Sequence, residues 1–168
     1  MNRENINTAL LFVGLILLQI IVLNNINFLG YINPFYYIIF IFLYPLKKID
    51  SSLILLSFFL GLSIDVFSNS GGTNAAATLL IAFIRIPILK IILDKRELEY
   101  SSLSIQKLPF FKSLLLITVL TFIHHLIVFS LEYFKWSNFK IITIKTALTS
   151  IFTIVLILIS FTFISRKR

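Results

Sequence analysis

Long apolar runs separated by short polar loops constrain this chain more than any other feature. Six recur, over Thr8–Leu23, Pro34–Leu46, Leu53–Phe67, Asn74–Leu93, Ser113–Tyr133 and Ile141–Ile164. A helix that crosses a bilayer needs about 20 such residues, with a range of about 17–25. The second and third runs are short. Lys47 and Lys48 can lengthen the second by snorkelling, or the bilayer thins around it. Hydrophobic residues make up 58% of the 168, against 13% charged, which is too much apolar surface for a chain of this size to hide from water. The expected architecture is an all-α membrane protein: one multi-pass domain over residues 1–168, folded as a bundle of six transmembrane helices.

The loops set the expected orientation. Loops 24–33 and 68–73 carry no charge, and only Lys135 and Lys140 sit around the last loop. Lys47 and Lys48, the segment with Lys95, Arg96, Lys107 and Lys112, and the final Arg166–Arg168 carry most of the cations. The positive-inside rule places both termini in the cytoplasm. The net charge of +8 is read the same way, as attraction to anionic lipid and not to nucleic acid. No small-x-small cleavage pattern follows the first run, so it reads as an uncleaved span. Tyr31, Tyr36, Tyr37, Tyr133 and Trp136 read as interfacial aromatics. Asn33-Pro34 reads as the capped start of span two, and Pro87 as a kink in span four. Segment 101–111, SSLSIQKLPFF, reads either as lying on the membrane surface or as a tether.

Lipid is as apolar as leucine, so small and polar side chains mark the inward faces. At helical spacing these are Ser57, Gly61 and Asp65 on span three, and Ala75, Thr78, Ala82 and Arg85 on span four. Span five offers Thr118, Thr121, His125 and Glu132, and span six Thr143, Thr146, Ala147, Ser150 and Thr153. Spans one and two show only Gly14 and Gln19, so they are expected to be partly open to lipid or to a partner.

Asp65 and Arg85 lie inside apolar helices on either side of Gly71-Gly72. At 1.5 Å per residue their depths differ by roughly 13 Å, too far for a salt bridge. The glycines allow a sharp turn, and the amides that open span four carry positive dipole character. Asp65 can therefore staple the hairpin by accepting from them; the competing reading is a cation or proton site on a transport path. His124 and His125 point about 100° apart on a helix and cannot chelate one ion together, so no metal or other cofactor is expected. Glu132 and Lys135 read as a rim pair. With no cysteine, no phosphate loop and no nucleophile with its base, no catalytic residue stands out.

The run GLSIDVFSNSGGTNAAATLLIAFIR resembles the signature of the rod shape-determining protein MreD family, through Gly61, Asp65, Gly71, Gly72 and Ala75–Ala77 in its Gly-Gly-Thr-Asn-Ala form, which includes Asn74. Arg85 closes the run. The resemblance is sharp over about 30 residues and architectural elsewhere. His124-His125 and the charged loop 94–112 depart from the pattern. The resemblance implies a non-enzymatic inner-membrane component of the bacterial elongation complex, serving peptidoglycan synthesis and cell shape. Its implied partners are an MreC-like bitopic protein, the RodA glycosyltransferase, a penicillin-binding transpeptidase and the MreB filament. It also implies a fold similar to the substrate-binding subunits of energy-coupling-factor vitamin transporters, which makes a small-molecule-binding transporter subunit the second reading. That reading needs an enclosed outer pocket with convergent polar groups. A lipid-modifying enzyme is a third. Spans one and two and the outer hairpin are the expected partner surfaces, and self-association as a homodimer is left open.

Overall fold

The computed structural model describes residues 3–26, 32–46, 51–93, 105, 108–134 and 138–166. Helix α1 (Arg3–Ile21) continues into a 3-10 turn (Leu23–Asn25). A second 3-10 turn (Tyr36–Ile38) leads into α2 (Ile39–Leu43), followed by α3 (Ser51–Ser68), α4 (Thr73–Ile92), α5 (Phe110–Tyr133) and α6 (Phe139–Arg166). Among the described residues, five of the six α-helices are long and apolar enough to cross a membrane. The main packing runs in series, α3 on α4, α4 on α5 and α5 on α6, with α1 set against α3.

The exception is α2, and it corrects the expectation of six full spans. Its helical stretch with the preceding 3-10 turn covers residues 36–43, about 13 Å long, whereas the hydrocarbon core is about 30 Å thick. Span two was also expected to be partly open to lipid or to a partner. Instead it is the most enclosed part of the molecule: Tyr37, Ile38, Phe40, Ile41 and Phe42 have no exposed surface. A helix apolar on every side is a lipid-facing one or a fully enclosed one, and YYIIFIFL is the second kind. Tyr37 is therefore not interfacial. Asn33 does not cap the segment either; Phe35 stands at the N-cap position, and Asn33 Nδ2 donates to the Asn24 carbonyl instead.

The small-residue faces of α3 and α4 point inward as expected: Ser57, Gly61, Asp65, Ala75, Thr78, Ala82 and Arg85 are all buried. On α5 and α6 the pattern holds only in the middle. Thr121, His125, Thr146, Ser150 and Thr153 are buried, while Thr118, Glu132, Thr143 and Ala147 are exposed. The buried faces of α5 and α6 thus include apolar residues such as Leu116, Ile117, Leu120, Ile142 and Ile157 in place of part of the small-residue stripes. In α4 the helix runs on through Pro87. Of the segment 101–111, Ile105 and Leu108 are buried and Phe110 and Phe111 exposed; Lys135, Trp136, Tyr31, Lys47, Lys48 and most of loop 94–112 lie outside the described residues.

Gly61 permits a close approach of α3 to α4. A Cβ there would lie 2.6 Å from the Ala75 Cα and 2.6 Å from the Asn74 carbonyl oxygen, both backbone atoms. Neither can yield without moving α4. By contrast Gly14 on α1 has nothing within 4 Å. Gly61→Ala should therefore lower stability by about 1–3 kcal/mol, seen as a lower midpoint of heat-induced aggregation in micelles. Gly14→Ala should leave that midpoint unchanged or slightly raised. Equal midpoints for the two variants would remove the close contact as a packing determinant.

Candidate functional site

The polar residues inside the bundle meet at helix ends. In hydrocarbon a backbone N–H or C=O that leaves a helix has no water to turn to, so protein groups must supply the partner.

The α3–α4 hairpin shows this most fully. Asn69 adopts a left-handed conformation (φ 51°) just past α3, and the Ser70 amide donates back to the Asp65 carbonyl at 3.2 Å. This closes the C-terminus of α3 in the Schellman manner. Gly71 and Gly72 also have positive φ, 65° and 93°, so the turn needs residues without a Cβ penalty. Gly72 occupies the N-cap of α4 and has no side chain with which to cap it. Asp65 does so from the preceding helix. Its Oδ1 accepts from the Asn74 amide at 3.0 Å and its Oδ2 from the Ala75 amide at 2.8 Å. Ser70 Oγ and Asn74 Nδ2 donate to Oδ1 as well, at 2.5 and 3.0 Å. The amides of Thr73 and Ala76 reach the carbonyls of Ser70 and Gly72, so each of the first four amides of α4 has a partner. A negative charge at a helix N-terminus is also favoured by the helix dipole. A cation bound at Asp65 would have to displace these donors and would then face a wall of N–H groups. The geometry supports the staple over a transport site.

From Asp65 the network runs inward. Asn74 Oδ1 accepts from the Tyr37 hydroxyl at 2.9 Å, and Tyr37 Oη lies 3.0 Å from His124 Nε2. Since Tyr37 gives its proton to Asn74, His124 must carry its proton on Nε2 and donate to the tyrosine oxygen. Its Nδ1 is buried with no hydrogen-bond partner. Thr78 Oγ1 donates to the Asn74 carbonyl at 2.5 Å and lies 3.4 Å from His124 Nε2. The neighbouring histidine is arranged the other way. His125 Nδ1 lies 2.7 Å from the Thr121 carbonyl, which can only accept, so Nδ1 holds the proton and Nε2 accepts from Thr153 Oγ1 at 3.3 Å. The two histidines thus serve separate partners, and no group of three or more potential metal ligands occurs among the described residues.

The same logic closes both ends of α2. Gln19 donates from Nε2 to the Pro34 carbonyl at 2.9 Å and accepts from the Tyr37 amide at 3.3 Å. Thr153 Oγ1 accepts from the Phe35 amide at 3.2 Å. At the other end the Arg85 guanidinium donates to the Tyr44 carbonyl at 2.5 Å, a cation placed where the last carbonyls of a helix point. Arg85 is 1% exposed. It sits with the end of α2 and shares no hydrogen bond with Asp65 or the histidines among the described residues.

Above the staple lies a cavity of about 420 Å³, open at the end of the bundle that carries the uncharged loops. Asn24, Asn33, Ser68, Thr73, Asn74 and Glu132 line it beside Phe35 and Phe67. Asn24 Nδ2 donates to Ser68 Oγ at 3.0 Å, tying α1 to α3 at this rim. Several participants are not evident from the sequence. Tyr37 reads there as an interface residue and Gln19 as isolated, and nothing marks Asn24, Ser70 or Lys145. Lys145 donates to the Tyr133 hydroxyl and stands 5.0 Å from that ring's centroid and 5.9 Å from Phe129's. A lone glutamine ahead of a run bracketed by Pro34 and Pro45 was the available signal for the first two.

Comparison with known proteins finds no match among family models, curated proteins or solved structures.

Removing the carboxylate would leave the Asn74 and Ala75 amides buried without acceptors, at about 1–3 kcal/mol each. Asp65→Ala should therefore lose most of its folded, monodisperse yield in micelles, with Asp65→Asn intermediate because one oxygen is kept. Tyr37→Phe should cost about 1–3 kcal/mol, since Asn74 Oδ1 loses its donor and His124 Nε2 keeps only the longer contact to Thr78 Oγ1 at 3.4 Å. Heat-stability midpoints check both; a wild-type midpoint for Asp65→Ala contradicts the staple.

Proposed function

We infer that this chain is a non-enzymatic, multi-pass component of the cell-elongation complex in the bacterial inner membrane, holding an MreC-like bitopic protein and through it the enzymes of peptidoglycan synthesis. One observation carries the reading. The residues on which the MreD resemblance rests, Gly61, Asp65, Gly71, Gly72 and Ala75–Ala77, lie with Asn74 in a single hairpin closed by Asp65. The two oxygens of Asp65 and the side-chain amide of Asn74 are engaged with protein partners. Residues used this way favour holding a shape over performing a reaction.

The partner surface follows from what the bundle leaves uncovered. Enclosed α2 is excluded from that role. On α1, Leu10, Val13, Leu17 and Ile21 are 67%, 52%, 51% and 64% exposed, at helical spacing around exposed Gly14. Small residues let a second membrane helix approach closely, so this face of α1, with the outer hairpin, is where the single span of the partner would pack. RodA, the transpeptidase and MreB are further partners on the same reading. The second reading, a small-molecule-binding transporter subunit, has the convergent polar groups of the outer cavity in its favour, but the cavity is open and not enclosed; it predicts a different partner, a transporter's coupling subunit.

Affinity capture of the tagged chain from its native membranes in mild detergent separates the two. An MreC-like bitopic protein should co-elute, and Gly14→Leu should reduce its recovery at least about tenfold, a loss of about 1.4 kcal/mol, while leaving the chain folded. Recovery of a coupling subunit without any bitopic protein would overturn the scaffold reading.

A further inference from the structure

We propose that the outer cavity binds a saccharide, an uncharged or amine-bearing sugar ring recognised through its hydroxyls. The inference rests on the cavity and goes beyond the scaffold reading, which needs no ligand. Size comes first. At about 420 Å³ the space lies within the range of small-molecule sites, about 300–1,000 Å³. It is also built on fixed elements. Its floor is Asn74, held by Asp65, Ser70 and Tyr37, and its side is Asn24, held by Gln19 and Ser68. Those bonds take up both donor hydrogens of Asn74 and one of the two on Asn24. What faces the open space is therefore a mixture of hydroxyl and amide groups that both donate and accept, with one carboxylate, Glu132.

Charge narrows the class further. None of the lining side chains among the described residues is cationic, and one, Glu132, is an exposed carboxylate. A phosphate or carboxylate ligand would find no counter-charge and would meet Glu132 at close range. A ligand that offers several O–H donors finds acceptors on Glu132, Thr73 and Ser68, and an amino group gains a charge-assisted bond to Glu132. The apolar part of the wall is Ile20, Phe35, Ile64, Phe67 and Val128. Donor-rich edges with an apolar C–H face describe a pyranose ring, whose C–H side packs on aromatic and aliphatic groups. A simple cation or polyamine would use Glu132 and leave that apolar wall unfilled.

The test is titration calorimetry on the purified full chain in a polyoxyethylene detergent, since a glycosidic detergent would itself supply sugar. Glucosamine, glucose, tetramethylammonium and inorganic phosphate are the probes. Glucosamine should bind saturably at one site, glucose more weakly, and the other two not at all. Glu132→Gln should weaken glucosamine by about tenfold, bringing it level with glucose. Thr73→Phe, which fills the space, should abolish both. Size-exclusion profiles confirm that each variant is folded, and Glu132→Gln, at an exposed position, supplies the test if Thr73→Phe does not fold. The proposal is overturned if neither sugar saturates, if tetramethylammonium or phosphate binds as well as glucosamine, or if folded variants bind as the wild type does. None of these results bears on recovery of a bitopic partner.

Discussion

The carboxylate of Asp65 sits between two helix ends, and the arrangement of the bundle depends on it. Its backbone carbonyl closes α3 while its side chain opens α4. The helix that it caps has glycine at its own N-cap, so the cap must come from elsewhere. Because the donor groups are in rigid backbone, the position of α4 relative to α3 is fixed at the turn. The Gly61 contact fixes it again one turn further in. Membrane helices gain little from ordinary side-chain hydrogen bonds, on average about 0.6 kcal/mol. Bonds to otherwise unmatched amides are worth more, because the alternative is an orphaned donor in hydrocarbon.

The same constraint explains the short α2. Irregular backbone at membrane depth is tolerated only where protein surrounds it. Here Gln19 and Thr153 satisfy the entry to the segment and Arg85 its exit, each from a different long helix. The enclosed helix therefore links α1, α4 and α6 through its own ends. Tyr37 then joins it to the α3–α4 staple through Asn74. One connected set of buried polar groups runs from the cavity at one end of the bundle to its middle, and it leaves the outward faces of the helices free for lipid or partners.

The α3–α4 hairpin was legible because its signals are local. An aspartate one turn before the end of a run, two glycines and a small-residue start specify both the turn and its cap. The inward faces of these helices followed from the same spacing. What could not be read were the long-range uses of polar groups. Arg85 is 41 residues from Tyr44 and Gln19 is 15 from Pro34, and nothing local distinguishes such pairs. Tyr37 looked interfacial because aromatic residues at the edge of an apolar run normally are. The failure at α2 has one cause: an all-apolar segment looks alike whether lipid or protein surrounds it. On α5 and α6, Thr118, Glu132 and Thr143 keep the helical spacing but are exposed, while apolar neighbours such as Ile117, Leu120 and Ile142 take the buried face.

Amide hydrogen exchange in micelles, resolved at the start of α4, tests the central claim most directly. First-turn amides of a helix ordinarily exchange early because they lack intrahelical acceptors. With Asp65 as their acceptor, Asn74 and Ala75 should exchange as slowly as amides in the middle of the helix, and Asp65→Asn should speed them selectively. Exchange of these two amides as fast as those of Gly71 and Gly72 in the wild-type chain would contradict the account.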